Sequence, residues 1–127
     1  MKIFISIRFK KDGSNKQIIQ TIKDATKESG NIGYSFIDEG FIPDAKEMMN
    51  LAFEKMDECD MLVCETSECA FGVGIETGYF YAKRKKIIVC QNNKTKKSAT
   101  MSGTSNVSFT YKDLDDLKNK LIKILND

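Results

Sequence analysis

Short apolar runs, each too brief for a buried helix, recur along the chain and are separated by segments of helical periodicity. "KIFISI" (Lys2–Ile7), "DMLVCE" (Asp60–Glu65) and "KKIIVC" (Lys85–Cys90) are apolar at consecutive positions and rich in β-branched residues. Such runs read as strands buried on both faces, the signature of a parallel sheet covered by helices. "IGYSFI" (Ile32–Ile37) and the alternating "VSFTY" (Val107–Tyr111) supply two further strands.

The intervening segments fit. Ile18, Ile19, Ile22 and Ala25 mark one helical face between Lys16 and Glu28, and Gly30 ends that helix. Asp44, with Glu47 three residues on, reads as the cap of a second helix. Its inner face would be Ala45, Met48, Met49, Ala52 and Met56, taken as core rather than as soft-metal ligands. A third helix is predicted from about Gly74 to Lys83. A last one runs from Lys112 or Asp113 to Leu125 on Leu114, Leu117, Leu121 and Ile124. Residues 91–106 read as a long polar loop. Strand and helix alternation with right-handed crossovers gives a doubly wound, Rossmann- or flavodoxin-like α/β fold. It has one five-stranded parallel sheet, helices on both faces, and a single domain over residues 1–127.

What the chain lacks narrows the chemistry. It has no histidine, so no triad or histidine general base is available within it. Acid–base work would fall to Asp, Glu, Lys, Tyr or Cys. The four cysteines, Cys59, Cys64, Cys69 and Cys90, form no C-x-x-C pair, so no metal is expected. Cys64 and Cys90 read as small core groups. The net charge of +2 gives no argument for nucleic acid. No run approaches the roughly 18 apolar residues of a membrane span. The opening "MKIFISIRF" is too short, and too early interrupted by Arg8, for a signal sequence, so a cytoplasmic protein is expected.

In open parallel sheets, ligands bind beyond the carboxyl ends of the strands. Four segments reach that edge: "SIRFKKDGS", "DEGFIPD", "ETSECAFGVGIE" and the 91–106 loop. The third draws attention, with Gly72 and Gly74 placed before the predicted helix and Glu76 in its first turn. It is neither the dinucleotide fingerprint nor a P-loop. It can be a cradle of backbone amides, a glutamate held for catalysis, or a tight turn with an acid favouring a helix start. Arg8 can hold a phosphate or be a surface charge. Lys94, Lys96 and Lys97 can close over an anion or stay solvated. Asp38, Glu39, Asp44 and Glu65 are further acids near this edge, each readable as a loop charge or cap, and Asp60 reads as structural.

Read together in order, "SIR", "CDMLVCETS", "GVGIETG", "SATMSG" and the final F-x-Y strand resemble the nucleoside 2-deoxyribosyltransferase-like family. Among its branches the chain is most similar to the 2'-deoxynucleoside 5'-monophosphate N-hydrolases. The resemblance implies a glutamate nucleophile, Glu76, that attacks the anomeric carbon of deoxyribose, with water then releasing the sugar. It implies substrate contacts from Ser6, Ile7 and Arg8, from Gly72 and Gly74, and from the segment of Ser98 and Met101. Ser98 would reach the phosphate of a neighbouring subunit, which implies a homodimer with shared sites. No cofactor is implied, and the expected partner is a small nucleoside or nucleotide. Two positions depart from the family pattern. Ala52 stands where an aspartate assists the leaving base, and Ala70 where a serine binds phosphate. Base exchange between deoxynucleosides, or a non-catalytic nucleotide-binding or sensing domain, are the alternative functions.

Overall fold

A computed structural model describes residues 1–127. The chain runs β1 (Lys2–Ile7), α1 (Lys16–Glu28), β2 (Ile32–Ser35), α2 (Ala45–Asp57), β3 (Met61–Glu65), α3 (Phe71–Ala82), β4 (Lys86–Asn92), α4 (Ala99–Thr104), β5 (Val107–Tyr111) and α5 (Leu114–Asn126), with a 3-10 turn over Phe36–Glu39. All five strands are parallel, in the order β2-β1-β3-β4-β5. The chain therefore reverses its direction of travel between β1 and β3, and their carboxyl ends flank the crevice where such folds bind ligands. The doubly wound architecture expected from the strand pattern is the one present.

Alternation along the strands divides the core into two layers. Ile3, Ile5, Met61, Val63 and Ile88 face one way and pack with Ile22 of α1 and Leu117 and Leu121 of α5. Phe4, Leu62, Cys64, Ile87 and Val89 face the other way and pack under α2 and α3, against Ala52, Met56, Val73 and Phe80. Burying each large apolar side chain stabilises by about 1.5–3 kcal/mol, so both layers contribute to holding the helices against the sheet. Gly33 lets β2 sit close under α1, since a Cβ there would come 2.5 Å from Thr26 Oγ1. Asp60 Oδ2 accepts from the Lys2 amide at 2.9 Å and ties β3 to the start of β1, the structural part expected of it. On α3, Phe80 is buried, Tyr79 packs edge-on against Phe53, and Tyr81 is exposed. No helix is long and apolar enough to cross a membrane.

Several boundaries differ from those predicted, each for a physical reason. β2 ends at Ser35, not Ile37, because Phe36 and Ile37 turn out of the sheet and line a cleft. α3 begins at Phe71, so Gly72 and Gly74 are helical and Glu76 lies in the second turn rather than the first. Glycine costs a helix only about 1 kcal/mol, less than the burial of Val73, Thr77 and Phe80 on this helix's inner face returns. The 91–106 segment contains α4, a fifth α-helix started by Ser98, whose Oγ accepts from the Met101 amide at 3.2 Å. Met48 and Met49 are half-buried cleft residues, whereas Ala52 and Met56 are the buried positions of α2.

Candidate active site

β1 and β3 lie side by side with Ser6 in register with Cys64. Both side chains face α3, and two successive residues of that helix meet them. Glu76 Oε1 accepts from Ser6 Oγ at 2.6 Å, and Thr77 Oγ1 lies 3.2 Å from Cys64 Sγ. Thr77 spends its one hydroxyl proton on the Val73 carbonyl within α3, so the Cys64 thiol is the donor in its contact with Thr77. Glu76 is thereby aimed over the carboxyl end of β1, part-buried, at the floor of a cleft.

That cleft has a volume of about 1240 Å³, and 15 of its 20 lining residues are hydrophobic. Its walls are the ends of β1 and the 3-10 turn, the loop through Phe41 and Ile42, one face of α2, and the first turns of α3. In this apolar setting the Glu76 carboxyl is pushed up to about 7, chiefly by burial, with the Ser6 hydrogen bond pulling the other way. A carboxyl so poised changes its charge around neutral pH, and its negative charge acts more strongly beside apolar walls than in bulk water. Such a group can take up a proton, or attack and stabilise a neighbouring cationic carbon.

The predicted site residues fall into two sets. Ile7, Arg8, Gly72, Gly74 and Glu76 line the cleft, and Ser6 lies buried directly beneath Glu76. Ser98 and Met101 do not line it: Ser98 caps α4, and Met101 packs on the core layer beneath α3. Arg8 has a half-exposed side chain, with Glu68 as a distant ion-pair partner at 3.7 Å. Ala70 precedes α3 as a cap position with no side-chain hydrogen bond, as does Asn15 before α1, whereas α2, α4 and α5 are capped by Asp44, Ser98 and Asp113. The first amides of α3 thus remain open to an acceptor at the cleft's edge.

The other acids near this edge are engaged elsewhere. Asp38 pairs with Lys23, Glu39 accepts from the Tyr34 hydroxyl, and Asp44 accepts from the Glu47 amide as cap of α2. Glu65 is buried on the far side of the crevice. It accepts from the Ser67 amide at 2.6 Å, from Ser67 Oγ at 2.9 Å and from the Tyr111 hydroxyl. Ser67 Oγ also accepts from the Asn92 amide, so this network locks the 66–70 loop to β4 and β5. No group of three or more potential metal-ligating side chains comes together anywhere.

Sequence reasoning missed the cleft's apolar wall. Phe9, Phe41 and Phe71 ring its mouth, and Phe41 and Phe71 are 90% and 95% exposed. The available signal was large aromatic residues in three separate segments at the strands' carboxyl edge, outside any helical or strand periodicity.

No protein-family model and no curated protein matches the sequence. Solved structures do. A CMP N-glycosidase of Clostridium botulinum superposes with a TM-score of 0.73 at 22% identity, covering 95% of this chain and 98% of that one. A 2-deoxyribosyltransferase of Bacillus psychrosaccharolyticus gives 0.76 at 12% identity, covering 98% and 96%. A flavodoxin from the domain Archaea gives 0.57 at 12% identity, again covering 98% and 96%. At these identities the likeness is one of fold.

Proposed function

We propose that the chain is an N-glycosidase of the nucleoside 2-deoxyribosyltransferase-like family, of the branch that hydrolyses 2'-deoxynucleoside 5'-monophosphates. The observation that carries this reading is Glu76, a single carboxyl held by Ser6 at the floor of a cleft with mainly apolar walls. Similarity in fold to a CMP N-glycosidase and a 2-deoxyribosyltransferase supports it.

In this mechanism one Glu76 carboxylate oxygen bonds to C1' of the sugar as the C1'–N bond breaks, and the bonding pair leaves with the base. The carboxylate stabilises the oxocarbenium-like transition state and traps it as an ester, as in retaining glycosidases. The 2-deoxy sugar lacks the electron-withdrawing hydroxyl that would oppose this cation. Water then bonds to C1', Glu76 leaves as carboxylate, and the water's proton ends on the departed base. The net reaction is deoxynucleotide plus water giving base plus deoxyribose phosphate. Ser6 orients the nucleophile, and Ile7, Gly72 and Gly74 shape the sugar's bed. Arg8 and the open amides of α3 suit a 5'-phosphate, taking the place of a serine donor where Ala70 stands.

Ser98 and Met101 lie away from their own chain's cleft, which fits a homodimer in which Ser98 serves the neighbour's phosphate. A cytoplasmic setting goes with this reading. The test is release of free base from a panel of deoxynucleotides and deoxynucleosides. Wild type is expected to release base, and Glu76→Gln to lose release by a factor of at least about 10³, the scale of removing a covalent nucleophile. Equal release by both proteins sinks the mechanism. Transfer of deoxyribose to an added base, in preference to water, would assign base exchange instead. Ala52 favours a second reading. An alanine on the cleft wall, with no carboxyl beside it, suits a nucleotide-binding module. Melting-temperature shifts with nucleotide but no base release would establish that module.

A further inference from the structure

No side chain lining this chain's own cleft is placed to protonate the departing base. This inference rests on the N-glycosidase reading above. Among the lining residues the ionisable side chains are Arg8, Cys69 and Glu76. A guanidinium does not surrender its proton. Cys69 is exposed, at the end of the loop that leads into α3. Glu76 attacks in its ionised form and cannot in the same step act as an acid. The wall opposite is apolar, with Met48, Met49 and Ala52 presented by α2. Asp38, Glu39 and Asp44 line no part of the cleft and are committed to Lys23, Tyr34 and the α2 amide. Retaining glycosidases ordinarily place a second carboxyl roughly 5 Å from the nucleophile to protonate the leaving group. No such partner stands here.

Charge balance shows what can still react. When Glu76 bonds to C1' it loses its negative charge, and the base gains one. The cleft's net charge is unchanged, so the step needs no new counter-ion, only a base able to carry the charge. We infer that the enzyme is specific for nucleobases that leave as stabilised anions. These are imide pyrimidines of the uracil class, whose charge spreads over two ring carbonyls. Cytosine-type bases, with one carbonyl and an amine, are discriminated against. Specificity arises from an absent acid rather than from hydrogen bonds to the base edge.

The experiment uses the wild-type chain and a series of 5-substituted 2'-deoxyuridine 5'-monophosphates (hydrogen, methyl, fluoro, bromo), with 2'-deoxycytidine 5'-monophosphate as comparison. The readout is kcat/KM for base release, which reports the cleavage step. It is expected to rise roughly tenfold per unit of acidity of the free base, with the cytosine compound slower than the uracil one by roughly a hundredfold. Cys69→Ala is expected to leave the slope unchanged. Ala52→Asp, with folding checked by its melting temperature, is expected to flatten the slope and raise the cytosine rate. The wild-type series decides the matter if that variant does not fold. A flat series, or cytosine released as fast as uracil, overturns the inference while loss of release in Glu76→Gln keeps the nucleophile. No release from any compound, or release untouched by Glu76→Gln, overturns both.

Discussion

Ser6 Oγ donates a 2.6 Å hydrogen bond to Glu76 Oε1, joining the end of β1 to the second turn of α3 across 70 positions of sequence. Ser6 is 1% exposed, so the bond forms at the core's upper boundary, with the open cleft on the far side of the carboxyl. A hydrogen bond to a charged group contributes about 1.5–3 kcal/mol, and this one acts mainly on the ionised carboxyl. Burial and Ser6 therefore pull the protonation of Glu76 in opposite directions, and burial wins.

The pH dependence of catalysis follows from that contest. The proposed attack needs the carboxylate, so kcat/KM for base release is expected to rise through a midpoint near 7 and level off above it. Ser6→Ala deletes the bond that favours the charged form. Its midpoint is expected to move up by about one unit, since one unit corresponds to about 1.4 kcal/mol. A pH–rate profile of both proteins checks this. A midpoint that falls in Ser6→Ala would mean that Ser6 does not serve the ionised nucleophile.

The same group makes folding stability depend on pH, with the opposite advantage. The folded pKa of about 7 lies above the ordinary 4.5. Between those values the native state binds more protons than the unfolded one, so stability falls as pH rises from 4.5 to 7. Glu76→Gln removes this loss and keeps an acceptor for Ser6. The variant is expected to match wild type near pH 4 and to exceed it by roughly 3 kcal/mol above pH 8. Urea unfolding at the two pH values measures the difference. A gain already complete at pH 4 would contradict the assigned shift.

Much of this was legible in sequence because the strands announce themselves. "VSFTY" and "KIFISI" coincide with β5 and β1, and the two-sided burial of β3 follows from its unbroken apolar run. α4 was hidden because it is six residues long, mostly polar, and only Met101 reaches the core layer, so it has no periodicity to read. The cleft was hidden for a different reason. Ile37, Ile42 and Met48 are apolar residues that face a void rather than a core, and composition does not distinguish the two. Glu65 illustrates the reverse limit. It ends β3 as a charged residue, which in sequence suggests a surface, yet three donors from Ser67 and Tyr111 let it lie 2% exposed. Those partners are separated from one another along the chain and meet only through the β3–β4–β5 pairing.

Arg8 offers a test of the phosphate assignment that leaves the fold intact. Its ion pair with Glu68 is long, at 3.7 Å, and Lys10 already holds the same carboxylate at 2.7 Å. Losing an exposed pair of this kind changes stability by well under about 1 kcal/mol. Arg8→Ala is therefore expected to fold normally and to raise KM for deoxynucleoside 5'-monophosphates by roughly 10- to 100-fold, the worth of a charge-assisted contact. Free deoxynucleosides are expected to be unaffected within about twofold, because the contact is to the phosphate. Steady-state kinetics on matched pairs reads this directly, and an equal loss on both substrates would move Arg8 from phosphate binding to the sugar or base.

The glycines of α3 bear on what can lie over Glu76, since Gly72 and Gly74 line the same cleft. A Cβ at Gly72, Gly74 or Gly78 would meet no atom within 4 Å, so none of them is required by packing inside the chain. Each nevertheless costs the helix about 1 kcal/mol relative to alanine. Gly72 and Gly74 line the cleft, whereas Gly78 does not. All three alanine variants are expected to gain about 0.5–1 kcal/mol in stability by denaturant unfolding. Gly72→Ala and Gly74→Ala are expected to lose base release by tenfold or more, because the added methyl occupies space that the sugar enters. Gly78→Ala retains the cleft and is expected to keep its kcat. If Gly74→Ala were both more stable and fully active, the substrate would have to lie farther from the backbone of α3 than the proposed attack by Glu76 allows.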